Sequence, residues 1–135
     1  MPDRSSIYRN DPQTYDLLIS REDYQENIPK MLRSIRDFSG LDVADIGAGA
    51  GRLAMLLAKD AKSLLLTDNA EPMLKLAAEK LRRIRYTHFH TEVCDFTKIP
   101  VADRSLDVVV EGWALCTTAL RSPSWEATLT NSISE

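Results

Sequence analysis

Residues Leu41 to Gly51 read LDVADIGAGAG, and they carry the strongest structural signal in the chain. A short apolar strand at 41–46 runs into three closely spaced glycines, and the apolar run at 53–58 predicts a helix directly afterwards. Glycine permits the positive φ angles of a tight turn and lets the backbone approach a ligand. The free N–H groups at a helix start attract a carboxylate or a phosphate. This order of elements therefore predicts a ligand site.

The strand and helix unit repeats downstream. A second strand is predicted at 63–67, and the following helix is predicted to begin at Pro72. Residues 86–93 alternate between polar and apolar side chains, which is typical of an edge strand, whereas 106–110 form a continuous apolar run typical of a strand buried on both faces. The predicted fold class is α/β, a three-layer sandwich with a parallel sheet and helices on both faces.

The flanks of this core are predicted to be simpler. Ser20 opens a capping box, apolar residues follow at helical spacing, and Gly40 ends the predicted helix. Pro29 lies inside this pattern and predicts a kink or a restart. A further helix is predicted to begin after Pro123. The predicted organisation is an N-terminal tail and helix at 1–40, an α/β core at 41–116 and the start of the next helix at 117–135.

Composition restricts the class of protein. The chain has 135 residues, of which 44% are apolar and 27% charged, as in one ordinary globular domain. A net charge of -3 disfavours nucleic acid as the main partner, and no apolar run approaches the roughly 20 residues that span a membrane. Cys94 and Cys116 are interpreted as reduced thiols of a cytoplasmic protein, with Cys116 expected to be a small buried side chain.

Residues 43–51 resemble the first motif of class I S-adenosylmethionine-dependent methyltransferases, in which an acidic residue precedes G-x-G-x-G. Within that class, the sequence is similar to the type 11 methyltransferases, which act on small molecules. The acidic residue is Asp45, and the glycines are Gly47, Gly49 and Gly51. In NAD(P)-dependent oxidoreductases the third glycine lies one residue later. An NAD(P)-dependent oxidoreductase is therefore only the second alternative for the function. The resemblance implies a Rossmann-like fold and S-adenosylmethionine as the cofactor of the core at 41–116.

The resemblance implies further cofactor contacts at the next two strands. Asp68 ends the second strand, where the family places an acidic side chain on the ribose hydroxyls. Asn69 departs from the apolar side chain that often stacks on adenine, so that face of the base is expected to depend on another residue such as Met73. Asp95 and Phe96 resemble the family's pair for the edge of adenine.

Several roles are left open by the sequence. Glu111, at the end of the fourth strand, is a candidate general base, a candidate cofactor contact, or neither. Tyr15 and Tyr24 are candidates to cover the methionyl end of the cofactor, and core packing is an equal alternative for each. The catalytic residues are unknown, because the sulfonium already activates the methyl group and the protein mainly has to orient the reactants.

A polar stretch around the third strand suggests one other chemistry. His88 and His90 project to the same side, with Glu92 and Cys94 nearby, so a zinc site is conceivable. A polar face on an edge strand is the simpler account, and no metal is predicted.

The predicted function is S-adenosylmethionine-dependent methyl transfer to a small-molecule acceptor. The family fold has seven strands and the sequence shows four, so the chain is expected to be truncated after the fourth strand and to hold the cofactor half. The main alternative is therefore a non-catalytic or truncated cofactor-binding module. Self-association is expected along the fourth-strand edge, where an apolar strand would lack its next partner.

Overall fold

The computed structural model describes residues 4–112, 114–117 and 123–134. In that part of the chain, no helix is both long enough and apolar enough to cross a membrane. The strands are β1 (Asp42–Ile46), β2 (Ser63–Asp68), β3 (Phe89–Val93) and β4 (Val108–Glu111). The helices are α1 (Arg4–Asn10), α2 (Pro12–Ile19), α3 (Asn27–Ile35), α4 (Arg52–Leu57), α5 (Glu71–Arg83) and α6 (Trp125–Ser134), with a 3-10 turn at Leu115–Thr117.

The four strands form one parallel sheet in the order β3, β2, β1, β4. In the register of the central strand β1, Val43 lies opposite Leu64 of β2 and opposite Val108 of β4. The parallel sheet with its packed helices confirms the predicted α/β class, and β3 lies at the edge as its alternating pattern predicted.

The apolar run that forms β4 is typical of a strand buried on both faces, but β4 is only partly buried. Among the described residues β4 pairs only with β1, and Val109 is 53% exposed. A β-branched run favours the extended backbone of a strand, but its burial depends on what packs beside it. The exposure of Val109 therefore agrees with the expectation that this strand lacks its next partner.

The hydrophobic core lies between the sheet and the helices that follow β1 and β2. Leu64 and Leu66 of β2 are buried with Leu57 of α4 and Leu81 of α5. The helix α5 begins at Glu71 and has Pro72 in its first turn, as the sequence predicted. This packing places the start of α4 and the start of α5 at the same end of the sheet, next to the carboxyl ends of the strands.

Residues 4–19, which belong to the predicted tail, form the helices α1 and α2, which pack against α5. The Asp11 side chain accepts a hydrogen bond from the Thr14 N–H and caps α2, and Pro12 occupies its first turn. An acidic residue followed by proline is a recognised helix start, so this helix had a signal in the sequence. The apolar pattern of α2 is too short to predict a helix. Short helices are stabilised mainly by packing against other elements, which a local pattern does not record.

The helix predicted from the Ser20 capping box begins later and is shorter. The Asp23 carboxylate accepts the N–H groups of Asn27 and Ile28 and so caps α3, and Pro29 lies in the first turn of this helix. Pro29 therefore marks a restart rather than a kink. The helix ends at Ile35, because the backbone at Arg36 is extended.

Candidate functional site

The glycine loop between β1 and α4 needs glycine for both its backbone and its packing. Gly47, Gly49 and Gly51 have φ angles of 65°, 56° and 83°, in the left-handed region that favours glycine. A Cβ at Gly47 would collide with the side chain of Ala114, and one at Gly51 would lie 3.0 Å from the Cβ of Ala77. The loop is therefore pressed between α5 and the segment after β4.

Asp68 connects this loop to the next strand and helix. Its Oδ2 accepts the N–H of Gly49 at 2.9 Å, and its Oδ1 accepts the N–H of Ala70 at 2.8 Å. The side chain is half-buried, so it both holds the loop in place and remains at the surface of the site.

An open cleft lies at the carboxyl ends of the strands, where ligands bind in sheets of this type. Residues from the loops after all four strands and from the N-terminal helices line it. Five predicted cofactor residues are among them, namely Gly47, Gly49, Asp68, Asn69 and Phe96. The other lining residues are Tyr8, Tyr15, Thr67, Met73, Cys94, Gly112 and Ala114.

Asp45 lies under the glycine loop and not in this cleft. It is 1% exposed, and its Oδ2 accepts the N–H of Ala54, in the first turn of α4, at 3.2 Å. Burial raises its pKa from 3.8 to about 7; the Ala54 N–H opposes the rise, and the charges of Asp68 and Glu111 add to it. Near neutral pH, Asp45 is thus partly protonated, and it borders a second cavity between the loop and α2.

The other predicted residues make local contacts. The Asp95 carboxylate is exposed and accepts both the N–H and the hydroxyl of Thr97, at 2.9 and 2.7 Å, while its neighbour Phe96 lines the cleft. The Glu111 carboxylate accepts the N–H groups of Ala114 and Leu115, which stabilises the turn after β4. Both carboxylates are thus used in turns, and their cofactor roles stay predictions.

Two tyrosines of the N-terminal helices are part of the cleft. The rings of Tyr8 and Tyr15 are 4.9 Å apart and nearly perpendicular, and they pack against Ala50 and Met73. Burial, and next the neighbouring Tyr8, raise the pKa of Tyr15 to about 12. Tyr24, the alternative considered from the sequence, is 82% exposed. Of the two candidates, only Tyr15 lines the cleft.

Tyr8, Thr67 and Cys94 were missed by sequence reasoning. Tyr8 lies in the presumed tail, while Thr67 and Cys94 belong to strand ends whose neighbours resembled the family motifs more closely. Burial raises the pKa of the Cys94 thiol. The expectation that Cys116 is buried is wrong, because its side chain is exposed in the 3-10 turn that follows β4.

The histidines considered for zinc lie at the exposed edge of the sheet. His90 Nε2 is 3.1 Å from Glu92 Oε2, and His88 lies just before β3. In the described ranges, no three His, Cys, Asp or Glu side chains are grouped so that they could hold a metal ion.

Known methyltransferases are similar in sequence to most of this chain. The family model described as methyltransferase domain matches residues 43–133. Phosphoethanolamine N-methyltransferase 1 of Caenorhabditis elegans is 28% identical over 111 residues, covering 80% of this chain and 23% of the relative. The protein of the same name from Triticum aestivum is 28% identical over 93 residues, covering 67% and 18%. The chain therefore spans less than a quarter of the length of these relatives.

Solved structures of methyltransferases are also similar to this chain. Haemonchus contortus phosphoethanolamine N-methyltransferase 1, in complex with phosphoethanolamine and S-adenosylhomocysteine, is 30% identical with a TM-score of 0.56 over 62% of this chain and 17% of that one. An S-adenosylmethionine-dependent methyltransferase from Aquifex aeolicus shares the fold at 21% identity, with a TM-score of 0.63 over 97% and 60%. The chain belongs to the methyltransferase domain family, as its resemblance to class I S-adenosylmethionine-dependent methyltransferases predicted.

Proposed function

We propose that this chain binds S-adenosylmethionine in the cleft at the carboxyl ends of its strands and takes part in methyl transfer to a small-molecule acceptor. The observation that carries the proposal is the contact between the Asp68 carboxylate and the Gly49 N–H. It places the glycine loop and the acidic side chain at the end of β2 against each other in one cleft, as a nucleoside cofactor requires.

The chemistry of the cleft fits this cofactor. Gly49 has no Cβ, and a Cβ there would come within 3.3 Å of Met73 Cε, which also lines the cleft. Asp68 supplies a carboxylate suited to a ribose diol, and Phe96 supplies apolar surface suited to a base, whereas Met73 borders the cleft but is buried. When bound, S-adenosylmethionine supplies a methyl group that is attached to a sulfonium sulfur. Once the methyl group is transferred, that sulfur is part of a neutral thioether. The chain's own contribution is then binding and orientation.

The acceptor is proposed to be a small amine. The support is that the curated relatives are named phosphoethanolamine N-methyltransferases. An alkylamine is an ammonium ion at neutral pH and must lose one proton to expose its lone pair before it attacks a methyl group, and no described residue is assigned the role of accepting that proton. The Tyr15 hydroxyl has a pKa raised to about 12, so it is protonated at neutral pH and does not act as a base. The Glu111 carboxylate accepts a hydrogen bond from the Leu115 N–H in the turn after β4.

A cofactor-binding module without catalysis is the second candidate, because the chain spans less than a quarter of its curated relatives. Calorimetric titration with S-adenosylhomocysteine and with NAD tests the binding site. Binding of the first and not the second is expected, and the reverse result would contradict the proposal.

Transfer of a labelled methyl group from S-adenosylmethionine to phosphoethanolamine, and to a metabolite extract, separates the two candidates. Labelled product supports the enzyme. Binding of S-adenosylhomocysteine without any labelled product supports the module.

A further inference from the structure

The side chain of Lys80 joins three separate parts of the molecule. It extends from α5, and its Nζ donates to the Oδ1 of Asp16 in α2 at 2.7 Å and to the carbonyl oxygen of Ala50 in the glycine loop at 2.8 Å. The Lys80 side chain is 21% exposed and that of Asp16 26% exposed, so this ion pair is better shielded from solvent than the exposed pair between Lys75 and Glu71.

The carbonyl of Ala50 accepts a hydrogen bond from outside the loop. Ala50 precedes Gly51, the N-cap residue of α4, so its carbonyl lies outside the helical hydrogen-bond pattern, and the Ala54 N–H donates to the buried carboxylate of Asp45. The Lys80 ammonium supplies a charged donor to this carbonyl, between two glycines of the loop. The loop conformation is therefore supported by a side chain that does not line the cleft.

The other partner of Lys80, Asp16, lies next to the tyrosine wall, which is the part of the cleft lined by Tyr8 and Tyr15. Asp16 is adjacent to Tyr15, whose ring packs with that of Tyr8 against Ala50 and Met73. A second ion pair, from Arg52 Nη1 to Glu22 Oε2 at 2.8 Å, ties the start of α4 to the segment after α2. Fixing α2 against the loop thus also fixes the tyrosine wall.

We propose that Lys80 is a positioning residue of the cofactor site, which sets the glycine loop and the tyrosine wall at one fixed separation. The inference rests on the proposed function, because its consequence is measured as cofactor affinity. Lys80 acts through Ala50 and Tyr15 and does not itself touch the ligand.

The test compares Lys80→Met with Lys75→Met. Methionine keeps an apolar stem of similar length and removes the donors, while Lys75 forms an exposed ion pair with Glu71 on the same helix. Calorimetry with S-adenosylhomocysteine is expected to show affinity lowered about tenfold in Lys80→Met, the scale of one lost charge-assisted bond. Affinity within about twofold of wild type is expected for Lys75→Met.

Three further measurements separate positioning from general stability. Lys80→Arg is expected to restore most of the affinity, because it retains a charged donor. Asp16→Asn is expected to weaken binding in the wild-type background and to add little to Lys80→Met, since both remove the same contact. This second variant also tests the coupling if Lys80→Met fails to fold. Amide hydrogen exchange of α2 in the ligand-free protein is expected to accelerate in Lys80→Met and not in Lys75→Met.

The outcomes distinguish the two proposals. If the wild type does not bind S-adenosylhomocysteine, the proposed function fails and the positioning role fails with it. If the wild type binds and the Lys80 and Asp16 variants bind equally well, only the positioning role is overturned. Loss of affinity in Lys80→Met, with rescue by arginine, supports both.

Discussion

Neutralising the buried carboxylate of Asp45 should stabilise the protein at high pH and leave its stability unchanged at low pH. Asp45→Asn keeps an oxygen that can accept the Ala54 N–H and removes the charge. In the folded state the pKa of Asp45 rises from 3.8 to about 7, mainly through burial. One pKa unit corresponds to about 1.4 kcal/mol. The ionised Asp45 side chain therefore lowers the free energy of unfolding by about 4 kcal/mol above pH 7.

The sign follows from the protons bound in each state. Between pH 4 and pH 7 the folded protein holds a proton at Asp45 that the unfolded chain releases, so the free energy of unfolding falls as pH rises. The cost is absent below about pH 4 and complete above about pH 7. Asp45→Asn should remove this dependence, so its advantage over wild type should grow from nearly zero at pH 4 to about 4 kcal/mol at pH 8.

Urea unfolding of both proteins at several pH values measures this difference. Asp103→Asn is the matched control, because it makes the same chemical change on an exposed side chain. Parallel pH profiles for wild type and Asp45→Asn, or a lower stability of Asp45→Asn at pH 8, would refute the reasoning.

Three further predictions concern the cleft and the sheet edge. Asp68→Ala should weaken S-adenosylhomocysteine binding by at least about a hundredfold in calorimetry, since two charge-assisted bonds to a ribose are lost, and Asp103→Ala should leave it unchanged. Tyr15→Ala should lower the same affinity while Tyr24→Ala should not, because only the first lines the cleft; equal effects would contradict this assignment. Val109→Lys should reduce self-association measured by light scattering, because lysine protects an exposed strand edge; a wild-type chain that stays monomeric at micromolar concentration would disprove association through β4.

Local patterns were sufficient for the central part of the fold. The strands β1 and β2 and the helix α5 begin within a residue or two of their predicted positions, because hydrophobic period and glycine or proline placement act over a few neighbouring residues. The N-terminal helices were missed, because short helices are stabilised mainly by packing against other elements. The predicted start of β3 was three residues too early for a similar reason, since pairing with β2 determines where its ladder begins.

The candidate site likewise has some features that local sequence predicts and others that depend on the tertiary structure. The sequence by itself determined which residues follow the strands, so Gly47, Gly49, Asp68 and Phe96 were identified as neighbours in one cleft. Only the tertiary structure decided that Asp45 is buried, and that a lysine 64 residues from Asp16 connects α2 to the glycine loop. A motif records chemistry that adjacent residues carry together, whereas burial and long-range ion pairs depend on elements that meet only after the chain has folded. The pKa of Asp45 and the position of Tyr15 therefore follow from the fold and could not follow from the motif.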